Sequence, residues 1–265
     1  MSAHRWDDLR VRLASAVVMI VVGVFGVAMG GWVFHVLIAA ASGVMVWELV
    51  CLLDTGRQRT QYILGIATFV VAMAAIRLPG SFALPLLMVP AMLGFARMEQ
   101  GATRYGVFTT LIVFAGFGMM SLRDDLGLIW MLWLIITVVV TDVFGYFAGR
   151  ALGGPKFWPK VSPKKTWSGT AAGWIAAALV GLLFAWITGA SVGLAGISVA
   201  VSMASQIGDI AESALKRKAG VKDSSSLIPG HGGLLDRFDG MLGAAVFLVF
   251  ATQIVDFPPG LPVTP

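Results

Sequence analysis

The sequence has few charged residues and almost no cysteine. Asp, Glu, Lys and Arg make up 12% of its 265 residues, whereas hydrophobic residues make up 58%. Soluble domains contain roughly 45–50% apolar residues, so this composition excludes an ordinary soluble protein. Cys51 is the only cysteine, and a single thiol excludes an intrachain disulfide.

Long hydrophobic runs occupy most of the chain. A helix needs about 20 apolar residues to cross a bilayer core of roughly 30 Å. We therefore predict an all-α polytopic integral membrane protein with about nine transmembrane helices. The candidate spans are residues 13–31, 32–53, 61–76, 78–96, 106–121, 126–148, 170–188, 190–208 and 240–256. The third and fourth are the weakest, because a charge and three prolines interrupt them: Arg77, Pro79, Pro85 and Pro90.

The net charge of +5 has a topological explanation. If nine helices cross the membrane and the N-terminus is cytoplasmic, every Lys and Arg except Arg77 and Arg123 falls on the cytoplasmic side. This asymmetry is typical of membrane proteins. The basic balance therefore indicates orientation and attraction to anionic headgroups, not binding to nucleic acid.

Polar residues are concentrated in two long connections, 149–169 and 209–239. Both lie on the predicted cytoplasmic side. The connections on the opposite side are only a few residues long and cannot form a folded domain. We therefore expect a cavity for any polar substrate to open toward the cytoplasm.

Carboxylates near the predicted helix ends are candidates for function, because acidic residues in spans are costly. Asp142 lies late in the sixth span, eight residues before Arg150. It either belongs to a site or is a buried carboxylate bonded to Thr141 or a neighbouring helix. For Glu48, near the end of the second span, the simpler interpretation is favoured, namely an acid at a helix end near the interface.

The densest group of charges follows the eighth span. If that helix continues past the membrane surface, one face carries residues at three- and four-residue steps: Ser205, Asp209, Glu212, Ser213 and Lys216. Asp236 and Asp239 are also three residues apart. Between these groups, SSSLIPGHGG is too rich in Ser, Pro and Gly for a helix and predicts a loop whose N–H groups could cradle a phosphate.

Two lysines precede the seventh span. Lys164 and Lys165, in SPKKTWSG, would strengthen an anion site at the positive end of a helix. Simple anchoring by positive charge on the cytoplasmic side is an equally good interpretation.

Residues 213–239 read SALKRKAGVKDSSSLIPGHGGLLDRFD. This segment resembles the signature of the phosphatidate cytidylyltransferase family, also called CDP-diacylglycerol synthases. The upstream segments at 205–213, 162–166 and 141–150 resemble family elements as well. One departure is Ser168, where the family pattern leads us to expect glutamate.

The resemblance implies transfer of a cytidylyl group from CTP to phosphatidate by a homodimer that uses Mg²⁺. It also implies a second cation, for which K⁺ is a candidate. The predicted topology places this reaction at the cytoplasmic face of the membrane, which we expect to be a bacterial cytoplasmic membrane. Asp209 and Asp236 are the first choice as catalytic metal ligands, and Asp223 and Asp239 come next. The implied substrate-binding residues are Lys164, Lys165, Ser213, Lys216, Arg217, Lys222, His231 and Arg237, with Asp142 as a further candidate. Residues 126–265 would form a catalytic region of about four spans, and residues 1–125 about five N-terminal spans.

Three alternatives stay open. A CTP-dependent lipid-alcohol kinase on a related scaffold would transfer the γ-phosphoryl group instead. A cation-coupled transporter could use Asp142 and Glu48, although the short outer connections argue against it. A non-enzymatic membrane scaffold would not need the clustered carboxylates.

Overall fold

The computed structural model describes residues 3–54, 56 and 58–261, with side chains described from residue 10 onward. Of the cations assigned to the cytoplasmic side, Arg57 and the Arg5 side chain lie outside the described parts. The described chain forms helices and one short hairpin: α1 Ala3–Met29, α2 Gly31–Leu53, α3 Gln58–Ala75, α4 Gly80–Leu87, α5 Val89–Arg97, α6 Ala102–Asp125, α7 Leu128–Leu152, β1 Lys156–Trp158, β2 Ser162–Thr166, α8 Trp167–Thr188, α9 Leu194–Lys218 and α10 Leu235–Ala251.

Seven segments of the described chain are long and apolar enough to cross a membrane, which confirms an α-helical membrane protein at this level. They are Arg10–Met29, Gly31–Leu53, Gly80–Arg97, Ala102–Asp125, Leu128–Leu152, Trp167–Thr188 and Leu194–Lys218. Two of the nine predicted spans, 61–76 and 240–256, are not among these seven segments. The segment in α3 begins with the polar sequence QRTQ, and α10 is only 17 residues long.

The prediction of a purely helical chain missed one hairpin. Strands β1 and β2 pair antiparallel, with Lys156 opposite Thr166, inside the long connection 149–169. The predicted span 78–96 is interrupted as well. It consists of α4 and α5, which meet at Met88 between Pro85 and Pro90.

The chain divides into two compact units. The N-terminal unit comprises Met1–Leu128 and Lys218–Phe238, and the C-terminal unit comprises Ile129–Arg217 and Asp239–Pro265. The loop between α9 and α10 is therefore part of the N-terminal unit, although it is far from those helices in sequence.

In the N-terminal unit, α2 packs against both α3 and α6. Arg123 of α6 donates hydrogen bonds from Nε to the Val27 carbonyl at 2.9 Å and from Nη2 to the Ala28 carbonyl at 3.2 Å, at the end of α1. Arg77 lies over the Trp32 ring, 4.7 Å from its centroid. Both cations that the predicted topology places on the outer side thus have structural partners.

In the C-terminal unit, buried polar side chains form hydrogen bonds between helices. Trp133 Nε1 donates to Ser198 Oγ at 2.9 Å, and Thr141 Oγ1 donates to Ser202 Oγ at 2.8 Å. Such interhelical hydrogen bonds hold membrane helices together. The exposed face of α8 is a stripe of large apolar side chains: Ile175, Leu179, Leu183 and Trp186.

Helices α9 and α10 approach closely through glycine. A Cβ atom on Gly208 would contact the Asp239 carbonyl oxygen and lie 3.0 Å from the Gly243 nitrogen. A Cβ atom on Gly243 would contact the Ala204 carbonyl oxygen. This approach places Asp209, next to Gly208, close to Asp239.

We predict that Gly243→Ala lowers the free energy of unfolding by about 1–3 kcal/mol, because the added methyl group must push the two backbones apart. The matched control is Gly196→Ala in α9, where an added Cβ meets no atom within 4 Å. That control should be neutral or slightly stabilising, since Ala favours helix over Gly. Thermal unfolding in detergent measures both, and equal stability of the two variants would contradict the close packing.

Candidate active site

The residues proposed from the sequence fall into two groups, one in each compact unit. The C-terminal unit holds Asp142, Lys164, Lys165, Asp209, Ser213, Lys216, Arg217 and Asp239. The N-terminal unit holds Lys222, Asp223, His231, Asp236 and Arg237.

An ion pair between Lys165 and Asp209 is the centre of the first group. Their side chains are 26% and 25% exposed, although the Lys165 Nζ atom itself is buried. Ser213 donates a hydrogen bond to Asp209 Oδ1 at 3.2 Å, one helical turn later on α9. Asp142 from α7 and Asp239 from α10 both interact electrostatically with Asp209. Carboxylates from three helices thus interact with one another, and Lys165 interacts with two of them, Asp209 and Asp142.

The hairpin positions this lysine. Thr166 ends β2 and caps α8, because its Oγ1 accepts a hydrogen bond from the Gly169 N–H at 3.2 Å. Successive residues of a strand point to opposite faces. Lys165 is accordingly half-buried against Asp209, whereas Lys164 is exposed. The two lysines therefore have different surroundings.

Ser168 closes the connection before α8. Its Oγ lies 3.0 Å from Thr166 Oγ1 and donates a hydrogen bond to the Gly153 carbonyl oxygen. At the position where the family pattern leads us to expect an acid, this chain has a hydroxyl that bonds to the backbone of its own loop.

The predicted continuation of the eighth span is confirmed, since α9 extends to Lys218. Lys216 is buried and pairs with Glu212 at 2.6 Å, one turn earlier. It also interacts electrostatically with Asp239. Arg217, the next residue, is exposed.

In the N-terminal unit, Asp236 organises the loop that precedes α10. Its Oδ2 accepts hydrogen bonds from the Ser224 N–H at 2.9 Å, from Ser224 Oγ at 3.0 Å and from the Gly233 N–H at 2.8 Å. Gly232 has a φ of +82°, which favours glycine, and a Cβ there would lie 2.8 Å from Asp236 Oδ2 and 3.2 Å from Asp223 Cβ. The backbone at Gly232 is therefore packed closely against the side chains of Asp223 and Asp236.

Residues 229–231 of this loop are bound to α1. Arg12 Nε donates to the Gly230 carbonyl at 3.0 Å, and Ser15 Oγ donates to the Pro229 carbonyl at 3.0 Å. Ser15 Oγ also lies 2.9 Å from His231 Nδ1. When the hydroxyl donates to the carbonyl, it accepts from Nδ1–H, and Nε2 of His231 becomes the acceptor nitrogen. Sequence reasoning missed Arg12 and Ser15, because they start an apolar run.

Glu48 is a further residue whose role was not recognised from the sequence. It is completely buried and accepts hydrogen bonds from the same loop, so it is not a solvated acid at a helix end. The sequence did carry a signal of this role. A carboxylate among apolar residues needs hydrogen-bond donors, and the loop rich in N–H groups supplies them.

Among the described residues, no group of three or more His, Cys, Asp and Glu side chains is arranged to hold a metal ion. Mg²⁺ does not require such a group, because it commonly binds one or two carboxylates together with substrate phosphates and water. The partly exposed Asp209, with Asp239 in electrostatic contact, fits that requirement.

We predict that Lys165→Met destabilises the protein by about 1–3 kcal/mol, because it removes the cation beside Asp209 and Asp142. The double variant Lys165→Met with Asp209→Asn should recover part of that loss. The exposed neighbour provides the control, Lys164→Met, which should leave the unfolding temperature nearly unchanged. Thermal unfolding in detergent measures all three, and a neutral Lys165→Met would contradict this role.

Comparison with known proteins yields a consistent set of relatives. A family model described as "Cytidylyltransferase family" matches residues 10–255. A protein of Brucella abortus biovar 1 (strain 9-941), named phosphatidate cytidylyltransferase, is 35% identical over 249 residues, which cover 91% of this chain and 92% of the relative. Proteins of the same name are 40% identical over 157 residues in Haemophilus influenzae, or 54% of each chain, and 40% identical over 130 residues in Bacillus subtilis, or 48% of each chain.

Proposed function

Because this chain belongs to the cytidylyltransferase family, we propose that it transfers the cytidylyl group of CTP to phosphatidate. The products are CDP-diacylglycerol and pyrophosphate, made for phospholipid biosynthesis. The observation that carries the proposal is the similarity to relatives of that name over nine-tenths of the chain. The gathering of Asp142, Lys165, Asp209 and Asp239 in one unit supports it, since it offers both signs of charge to phosphates and a metal.

The reaction needs no protein nucleophile. A phosphate oxygen of phosphatidate forms a bond to the α-phosphorus of CTP, while the bond from that phosphorus to the bridging oxygen of pyrophosphate breaks. The protein has to align these atoms and to neutralise the charge that accumulates on the phosphates. We assign the binding of phosphates to Lys164, Lys165, Ser213, Lys216, Arg217, Lys222, His231 and Arg237. Arginine suits bidentate contacts, and lysine acts as a point charge.

The proposed ligands of Mg²⁺ are Asp209 and Asp236, followed by Asp223 and Asp239, with Asp142 close to Asp209. Bound Mg²⁺ would supply positive charge to the phosphates of CTP and to departing pyrophosphate. Hydrogen bonds from surrounding groups orient carboxylates that bind metals. The Ser213 bond to Asp209 Oδ1 and the three loop bonds to Asp236 Oδ2 are of this kind. A second cation such as K⁺ is part of the proposal.

We also propose nine spans with a cytoplasmic N-terminus and a cavity open to the cytoplasm, in the cytoplasmic membrane of a bacterium. The distribution of Lys and Arg supports this orientation. A cytoplasmic cavity would give CTP direct access, while the acyl chains of phosphatidate stay in the bilayer. The functional unit is proposed to be a homodimer.

The test is an assay of the purified protein in vesicles that contain phosphatidate, with Mg²⁺ and CTP labelled at either the α- or the γ-phosphorus. We expect label in the lipid only from α-labelled CTP, pyrophosphate from γ-labelled CTP, and no product after a chelator removes Mg²⁺. Transfer of the γ-label to lipid would instead support a CTP-dependent lipid kinase.

In the same assay, Asp209→Asn should lower activity by about 100-fold or more, because it removes one charge from the proposed metal site. The matched control is Asp256→Asn, since Asp256 is an exposed carboxylate of the same unit. Its activity should equal that of the wild-type protein. Full activity of Asp209→Asn would contradict the proposed role of Asp209.

A further inference from the structure

Glu48 lies on α2, five residues before that helix ends, in surroundings that are otherwise apolar. Its exposed fraction is 0%. A buried carboxylate is costly unless donors surround it, and here the donors come from a segment almost 190 residues away in sequence.

Both carboxylate oxygens of Glu48 are used. Oε1 accepts hydrogen bonds from Ser225 Oγ at 2.6 Å and from the Leu234 N–H at 2.9 Å. Oε2 accepts a hydrogen bond from the Leu235 N–H at 2.7 Å, and Ser224 Oγ lies 3.5 Å away. Bonds of this length to an ionised acceptor are among the stronger hydrogen bonds in proteins.

Two of these donors lie at the start of α10: the N–H of Leu235, the first residue of the helix, and the N–H of Leu234, the residue before it. The first N–H groups of a helix have no partner within the helix, and a negative charge at this end also interacts favourably with the helix dipole. Glu48 therefore caps α10 from another helix. The next residues of α10 are Asp236 and Arg237, a proposed metal ligand and a proposed phosphate-binding residue.

The Glu48 carboxylate fits against the loop because Gly233 has no side chain. A Cβ on Gly233 would lie 2.6 Å from Glu48 Oε1 and would also contact Ser224 Oγ. Ser224 is the residue whose N–H and Oγ both bond to Asp236. Glu48 and Asp236 thus each bind both ends of one segment, 224–235. Glu48 accepts hydrogen bonds from Ser225, Leu234 and Leu235, and Asp236 accepts them from Ser224 and Gly233.

We propose that Glu48 is a positioning residue for the reaction, which fixes the start of α10 and so sets the position of the Asp236 carboxylate. The inference rests on the proposed function. It assigns to Glu48 no contact with substrate, because its carboxylate is buried and occupied by the loop.

Glu48→Gln is the decisive variant, because glutamine keeps the shape but has only one oxygen acceptor, and its NH₂ group faces an N–H donor. In the full-length protein we expect faster amide hydrogen exchange at Leu234 and Leu235. We also expect kcat/KM for CTP to fall by about 10- to 100-fold, as for other residues that orient metal ligands, with a higher Mg²⁺ concentration at half-maximal activity. Ser225→Ala removes one donor and should shift each quantity less, in the same direction.

The matched control is Glu99→Gln, an exposed glutamate of the same unit, which should change none of these quantities. Unchanged exchange at Leu234 and Leu235 in Glu48→Gln would overturn the capping of α10. A lower kcat with unchanged KM and unchanged Mg²⁺ dependence would also overturn the proposal, since it would indicate only a smaller folded fraction. A wild-type protein that makes no CDP-diacylglycerol would overturn the proposed function, whereas the exchange measurement would still test Glu48.

Discussion

In a chain this apolar, every charged group that leaves water must meet another polar group inside the protein. The structure satisfies this constraint in two ways. In the N-terminal unit, Glu48 and Asp236 bind the N–H and O–H groups of a loop that has almost no regular structure of its own. In the C-terminal unit, Lys165 and Asp209 bind each other. Three of these four buried or partly buried groups, Asp236, Lys165 and Asp209, are also proposed to bind the metal or the phosphates, so stability and the proposed function are coupled at these residues.

Features that depend on local sequence could be predicted. Hydrophobic runs of about 20 residues indicated the membrane helices, and the Ser-, Pro- and Gly-rich stretch 224–233 indicated a loop. The spacing of Asp209, Glu212 and Lys216 indicated that α9 continues to the end of the charged segment, as it does. The hairpin at Lys156–Thr166 was missed, because two short strands among lysines and prolines carry no hydrophobic alternation. The helices α3 and α10, which correspond to two predicted spans, are not long and apolar enough to cross a membrane. The first begins with polar residues and the second has only 17 residues.

In the candidate site, too, the features that depend on local sequence could be predicted and those that depend on distant residues could not. Many of its charged residues lie within 213–239, so the sequence alone pointed to that segment and to phosphate chemistry. Their partners are not contiguous. Ser15 is 216 residues from His231, and Glu48 is 187 residues from Leu235. Ser15 carries no local pattern that distinguishes it from an ordinary residue of a hydrophobic run, and the carboxylate of Glu48 indicates a need for donors without identifying them. Only the packing of α1 and α2 beside the loop reveals what these side chains do.

The way α1 is attached has a consequence for how this helix can vary among relatives. Near its start, Arg12 and Ser15 bind backbone carbonyls of the loop, and at its end Arg123 binds the carbonyls of Val27 and Ala28. Few of the residues in between are buried. The residues in the middle of α1 take part in neither attachment, so substitutions there leave both intact as long as the helix stays apolar. Sequence drift should therefore be rapid in the middle of α1 and slow at the side chains that make the attachments, Arg12, Ser15 and Arg123. Low identity in the middle of α1 is compatible with an unchanged attachment.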